Sequence, residues 1–198
     1  MPNPTLKMDS VTVLDKDSDG VHFKNSLIHS STTFPTGMPI NVTSTSITRA
    51  SNQFTSNSFN DIADDQSNAL SVSVTPKTNS KIFLMATLGV SGTDYNIYLR
   101  FMRDSTAIGI NTNPGSRPAA TMSTYGSGTS KPYEIMPTSM QFLDTTPGGD
   151  GSTSIVYKIQ LRVQSGGSAY INRSQRHVNE SHRDGVCIST ITAMEIAG

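Results

Sequence analysis

Charge is scarce in this chain of 198 residues. Only 15% of the residues are charged, and 15 Lys and Arg balance 15 Asp and Glu. That balance leaves no whole-molecule electrostatic footprint for nucleic acid. It also gives little colloidal protection, so a place in an assembly is expected. Cysteine is nearly absent: Cys187 stands alone, which excludes an intrachain disulfide. Beside an apolar strand it reads as a small buried hydrophobe. No apolar run reaches 18 residues, so no membrane insertion is expected. The start, Met1-Pro-Asn-Pro-Thr-Leu-Lys-Met8, lacks a basic region followed by an apolar one and does not read as a signal peptide. Synthesis and assembly in a cytoplasm are expected. No window has the period of an amphipathic helix.

Serine, threonine, asparagine and glycine fill the space that charge leaves, with 34% of the chain apolar. That is the composition of a β-rich protein with many turns, and it is not charged enough for an extended disordered chain. The final segment, Ile188 to Ile196, carries hydroxyl and β-branched side chains suited to a pleated surface. Its apolar residues, Ile188, Ile191, Met194 and Ile196, do not alternate cleanly. It is expected to be buried as the strand that closes a sheet.

Residues 1–10 contain Pro2 and Pro4 and read as an extended arm. Val11–Leu14 and Val21–Phe23 alternate about Asp15-Lys-Asp-Ser-Asp-Gly20, which predicts a hairpin with Gly20 at a positive-φ position. Leu27-Ile28 suggests a third short strand. Phe34-Pro-Thr-Gly-Met-Pro39 is a linker, so residues 1–38 read as an appendage and 39–198 as the main domain.

Within that domain, strands are expected over Ile40–Thr48, Leu70–Val74, Lys81–Val90, Ile97–Arg103, Thr106–Ile110, Ile135–Leu143, Ile155–Val163, Ala169–Asn172 and the final segment. Arg49 to Gln66 predicts short strands or a long loop. Lys81–Val90 is nearly continuously apolar, as in a strand buried on both faces. Asp104-Ser105 predicts a two-residue hairpin, and Pro137 marks an irregular start or an edge. Asn113 to Lys131 reads as a surface excursion. The fold class is all-β: a sandwich or jelly roll.

Ser189-Thr-Ile-Thr-Ala-Met-Glu-Ile-Ala197, preceded by Ala169-Tyr-Ile-Asn-Arg-Ser174, resembles the last strands of a family of phage virion proteins. The family is common among predicted tail fibres and other structural proteins of marine and cyanobacterial phages. The resemblance extends back through Leu70–Pro76, Ser80–Leu84 and Arg103–Gly109, and spans about residues 40 to 198. It implies a jelly-roll head similar to tumour-necrosis-factor-like trimers, displayed on a virion. The function that follows is non-enzymatic: a homotrimeric fibre or receptor-binding tip on tail or baseplate. The short stretch before the head suits an alternative role in capsid decoration. A carbohydrate-binding lectin is an alternative of another class.

Candidate site residues follow from these readings. Leu6, Val13 and Phe23 are the few apolar anchors of residues 1–38, expected to dock on another virion protein. Asp15, Asp17 and Asp19, with Gly20, match the first half of a calcium loop, but position 12 is Ser26 where a bidentate Glu belongs. The simpler reading is an acidic turn in solvent, with no cofactor. Arg173, Arg176, His177, His182 and Arg183 form the densest basic segment. Its planar guanidinium groups suit carboxylates or phosphates on a host glycan or protein. Arg173 directly follows a strand and is expected to anchor it. Replacing Arg176, His177, His182 and Arg183 together is expected to leave the melting point unchanged, as for exposed charges. Tyr125 and Tyr133, in glycine- and serine-rich loops, suit the same recognition. Catalysis finds no constellation. Cys187 with His177 or His182 lacks an oxyanion hole by motif, and Glu134, Glu180 and Glu195 are the only glutamates.

Overall fold

The computed structural model describes residues 34–180 and 182–198 in full, and the backbone alone of Leu6–Met8, Val11–Asp17 and Gly20–Phe23. The chain divides into two compact units, residues 1–35 and 36–198. The division falls inside the Phe34–Pro39 segment, at 35/36 where the sequence suggests 38/39.

The first unit is an antiparallel sheet of β1 (Leu6–Met8), β2 (Val11–Asp17) and β3 (Gly20–Phe23), in that order. The β2–β3 hairpin follows the alternation of Val11 and Val13 against Val21 and Phe23. Two details depart from expectation. Residues 6–8 form a strand, not a free arm, because Leu6-Lys7-Met8 alternates and finds a ladder partner in β2 once past the two prolines. Gly20 pairs with Asp17 as the first residue of β3, and residues 18 and 19 lie outside the described residues. Leu27-Ile28 lies outside the described residues.

The second unit is a β-sandwich, with no helix among the described residues. Its strands are β4 (Pro39–Ile47), β5 (Asn60–Asp61), β6 (Ser71–Val74), β7 (Lys81–Gly92), β8 (Asn96–Arg103) and β9 (Thr106–Ile108). They continue as β10 (Met122–Tyr125), β11 (Met136–Asp144), β12 (Ile155–Val163), β13 (Ala169–Ile171) and β14 (Ser189–Ile196). One sheet runs β11-β7-β14-β4, with β13 also on β7. The other runs β10-β8-β12-β5, with β6 on β12 and β9 on β8. All pairings are antiparallel. Strands that follow one another along the chain repeatedly change sheets, and the orders β11-β7-β14-β4 and β10-β8-β12-β6 are those of a jelly roll.

Inward residues of both sheets form one core. Leu84, Leu88 and Ile191 meet Leu99, Phe101, Tyr157 and Ile159, all fully buried. Burying each such side chain contributes about 1.5–3 kcal/mol. The Asp104-Ser105 hairpin has the expected two-residue turn, with Asp104 at φ 49° and Arg103 opposite Thr106. Pro137 sits on β11, an edge strand, where a missing N–H does no harm.

Three strands differ from the sequence reading. β7 is not buried on both faces throughout: Ile82, Leu84 and Ala86 point inward, Phe83 and Met85 are half-buried outside, and Thr87 is exposed. Only its last five residues, 88–92, are buried on both faces. There Cys187 and Ile135 close over Gly89, where a Cβ would meet Cys187 Sγ at 2.1 Å. β14 does not close the sheet; it runs inside it, between β7 and β4. Its alternation is clean, but Ser189, Ile191, Ala193 and Glu195 face inward, leaving Met194 and Ile196 outside. Glu195 is tolerated there because its carboxylate accepts the Lys77 N–H at 2.7 Å. The third is β10, inside the presumed 113–131 excursion. Its Met122-Ser-Thr-Tyr125 pattern pairs with Leu99 to Asn96 despite the surrounding glycines and prolines.

Candidate functional site

The two sheets present opposite chemistries to the outside. On the five-stranded sheet, register aligns outward residues into rows. Leu143 pairs with Phe83, Phe83 with Met194, and Met194 with Val42. This gives an apolar row across four strands, with Val42 57% and Leu143 39% exposed. The next row, Gln141, Met85, Thr192 and Ser44, is uncharged. The third, Ser139, Thr87, Thr190 and Ser46, holds hydroxyls only. Lys81, opposite Ile196 at the end of β7, is the one charged residue among the outward positions of these strands. A groove of about 530 Å³ runs beside β11, lined in part by Met85, Thr121, Met122, Met140 and Gln141. No titratable side chain lines it.

The six-stranded sheet is polar outside. Arg100 lies opposite Gln160, and Tyr98 opposite Arg162. Arg100 Nε and Nη2 both donate to Gln160 Oε1, at 3.0 and 2.7 Å. Gln160 Nε2 in turn donates to Asp61, which also accepts from Lys158 Nζ at 2.7 Å. The Arg100 guanidinium lies 3.9 Å from the centre of the Phe59 ring, and that of Arg162 5.9 Å from Tyr98. The sequence reading missed this face. Its signal was the polar phase of two alternating strands, Asn96-Tyr98-Arg100 and Lys158-Gln160-Arg162, which becomes a surface only when the strands are paired.

The basic loop after β13 is less free than its composition implies. Arg176 is ion-paired with Glu180 and with Asp184, whose side chain is only 3% exposed. The Arg176 pair and the Ser174 hydroxyl hold the Asp184 carboxyl below the usual range, against its own desolvation. The Arg176 N–H donates to Pro132 O, and Arg183 lies 5.8 Å from the Tyr133 ring. So Arg176, Arg183 and Tyr133 do come together, joining the 126–134 and 173–187 segments. His177, at φ 47°, and His182 are exposed on the same loop. Tyr125 belongs to β10, is 51% exposed and donates to Asp94 O at 2.7 Å.

Asn172 fixes the base of the loop. It is fully buried at φ 64°, donates to Ile47 O and Arg49 O, and accepts from Ser189 Oγ at 2.6 Å. Arg173 donates to Ser51 O and lies over Tyr170, an anchoring role. Cys187 Sγ lies 3.8 Å from Asn172 Oδ1, and burial pushes its thiol up, away from the thiolate a nucleophile needs.

In the first unit, Leu6, Val13 and Phe23 fall one on each strand. Asp15 and Asp17 are opposite His22 and Gly20 in the β2–β3 ladder, which is strand backbone and not the curved loop the calcium pattern requires. Asp19 and Ser26 lie outside the described residues. Among the described residues, no group of three His, Cys, Asp or Glu is placed to hold a metal ion. No helix among them is long and apolar enough to cross a membrane. No protein-family model and no curated protein matches this chain.

Proposed function

We propose that the protein is a non-enzymatic virion surface protein whose jelly-roll head self-associates as a homotrimer and serves as a receptor-binding tip. The observation that carries this is the outward face of β11-β7-β14-β4. Phe83, Met194, Val42 and Leu143 form an apolar row with only Lys81 near it. A face without charge does not repel a copy of itself, and covering that row removes apolar surface from water. Closed symmetry is the usual way a chain covers its own face. The number three, and display on a phage particle, rest on the resemblance of residues 40–198 to phage virion proteins.

The two-unit layout fits attachment by residues 1–35 and display of the head. Sedimentation velocity of the purified full chain tests the assembly: a trimer at micromolar concentration is expected, and a monomer removes the reading. Electron cryomicroscopy of particles tests the location. A few dozen copies at the tail support a receptor-binding tip, and hundreds on the capsid support decoration instead.

A further inference from the structure

The outward face of the other sheet holds two arginines that form no ion pair among the described residues. Arg49, Arg103 and Arg176 are each paired with an aspartate, while Arg117 and Arg173 donate to backbone carbonyls and Arg183 lies by the Tyr133 ring. Arg100 and Arg162 have no carboxylate partner among the described residues. The Arg162 side chain donates no hydrogen bond among them, and its Nε is buried without a partner. An unpartnered buried donor is destabilising. Arg100 uses Nε and Nη2 on one oxygen of Gln160, which leaves Nη1 unused.

Both groups are positioned by aromatic rings, Phe59 under Arg100 and Tyr98 beside Arg162. With Gln160 opposite Arg100, Arg162 is its diagonal neighbour on the next strand, about 7 Å away. Burial lowers the basicity of Arg100, as expected of a guanidinium that has lost water and gained no anion.

We propose that this face binds an acidic saccharide, with Arg162 and Arg100 receiving its carboxylate. The inference rests on the receptor-binding reading and names the ligand class. Fixed guanidinium forks match a planar carboxylate in geometry as well as charge. The neighbours suit the rest of a sugar: Tyr98 offers a ring face, while Gln160 and Asp61 offer polar groups for hydroxyls. Nucleic acid is disfavoured, because Asp61 sits among the three cations Arg100, Lys158 and Arg162 and ion-pairs with one of them.

The test is calorimetric titration of the full chain with oligomers of galacturonic acid, mannuronic acid and sialic acid. The methyl ester of the galacturonate oligomer serves as the uncharged control. At least one acid is expected to bind, its ester far more weakly. Arg162→Gln should weaken that binding by about tenfold or more, as for a lost charged hydrogen bond. Its melting point should stay near that of the parent, because the Arg162 side chain makes no hydrogen bond to lose. Arg100→Gln, which keeps a polar group beside Gln160, should weaken binding similarly. No binding of any acid at millimolar concentration overturns the proposal. Equal binding of the ester, an unaffected Arg162→Gln, or displacement by a single-stranded oligonucleotide of equal charge also overturns it. Sedimentation of the same samples separates the two readings. A trimer that ignores acidic sugars ends this inference and spares the assembly, and a monomer that binds them does the reverse.

Discussion

Asp144, at the end of β11, is buried and accepts Arg103 Nη1 at 2.9 Å, Tyr157 Oη at 2.9 Å and Thr146 N at 3.2 Å. Burial, and then the Asp144 charge, push the Tyr157 phenol far above its ordinary range, so it remains a neutral donor. Asp144→Ala leaves that hydroxyl without its acceptor and strips Arg103 of its ion pair, leaving it only the Thr146 carbonyl. The expected loss is about 3 kcal/mol, measured by equilibrium denaturation. Arg176 carries the opposite lesson about its neighbours. Its place in the basic loop suggested a solvated charge, yet its pairing with Asp184 makes it part of the loop's frame. Arg176→Ser should therefore lower the melting point, whereas His177→Ser with His182→Ser should leave it close to the parent's. The pH dependence has a definite sign. Asp184 is depressed in the folded state, so its contribution is complete above the unfolded carboxyl value of about 3.9 and fades as pH falls past it. The drop in melting point from pH 7 to pH 3 should shrink in Arg176→Ser, and an unchanged drop would show that the pair does not couple to folding.

At the scale of elements, alternation made most strands legible, because a sandwich strand must put every second residue into the core. It did not say which phase goes inside. In β14 the polar phase, Ser189 and Glu195, is buried, since Asn172 and the Lys77 N–H receive those groups. Polarity alone assigns Met194 to the core, and a distant partner reverses that. The same limit hid both outward faces: a row such as Leu143-Phe83-Met194-Val42 joins four strands spread over 153 positions of sequence, from 42 to 194, and exists only through register. The pairing of β10 was hidden for another reason, the glycines and prolines that flank it. The row yields a direct prediction. Val42→Glu with Met194→Lys should convert the assembly to monomer, read by light scattering. Monomer stability should change little, because both side chains point away from the core. An intact oligomer in this variant moves the interface elsewhere.

At the scale of the whole molecule, the two units differ in what they need. Residues 36–198 contain every member of the described core cluster, with both sheets closed on one another. The described part of residues 1–35 forms three short strands in one sheet. A sheet of that size buries too little apolar surface to be stable alone and gains stability by packing on a partner. The proposed partner is another virion protein, and the proposed anchors are Leu6, Val13 and Phe23. Deleting residues 1–35 should thus separate folding from attachment. The truncated head is expected to melt at nearly the same temperature as the full chain and to keep its oligomeric state, because the apolar row lies wholly within residues 36–198. Supplied in place of the full chain during infection, it should accumulate as free soluble head and be missing from purified particles. Triple replacement of Leu6, Val13 and Phe23 by Ser should reproduce that defect if these residues make the contact. Particles that carry the truncated head at normal copy number would assign attachment to the sandwich itself.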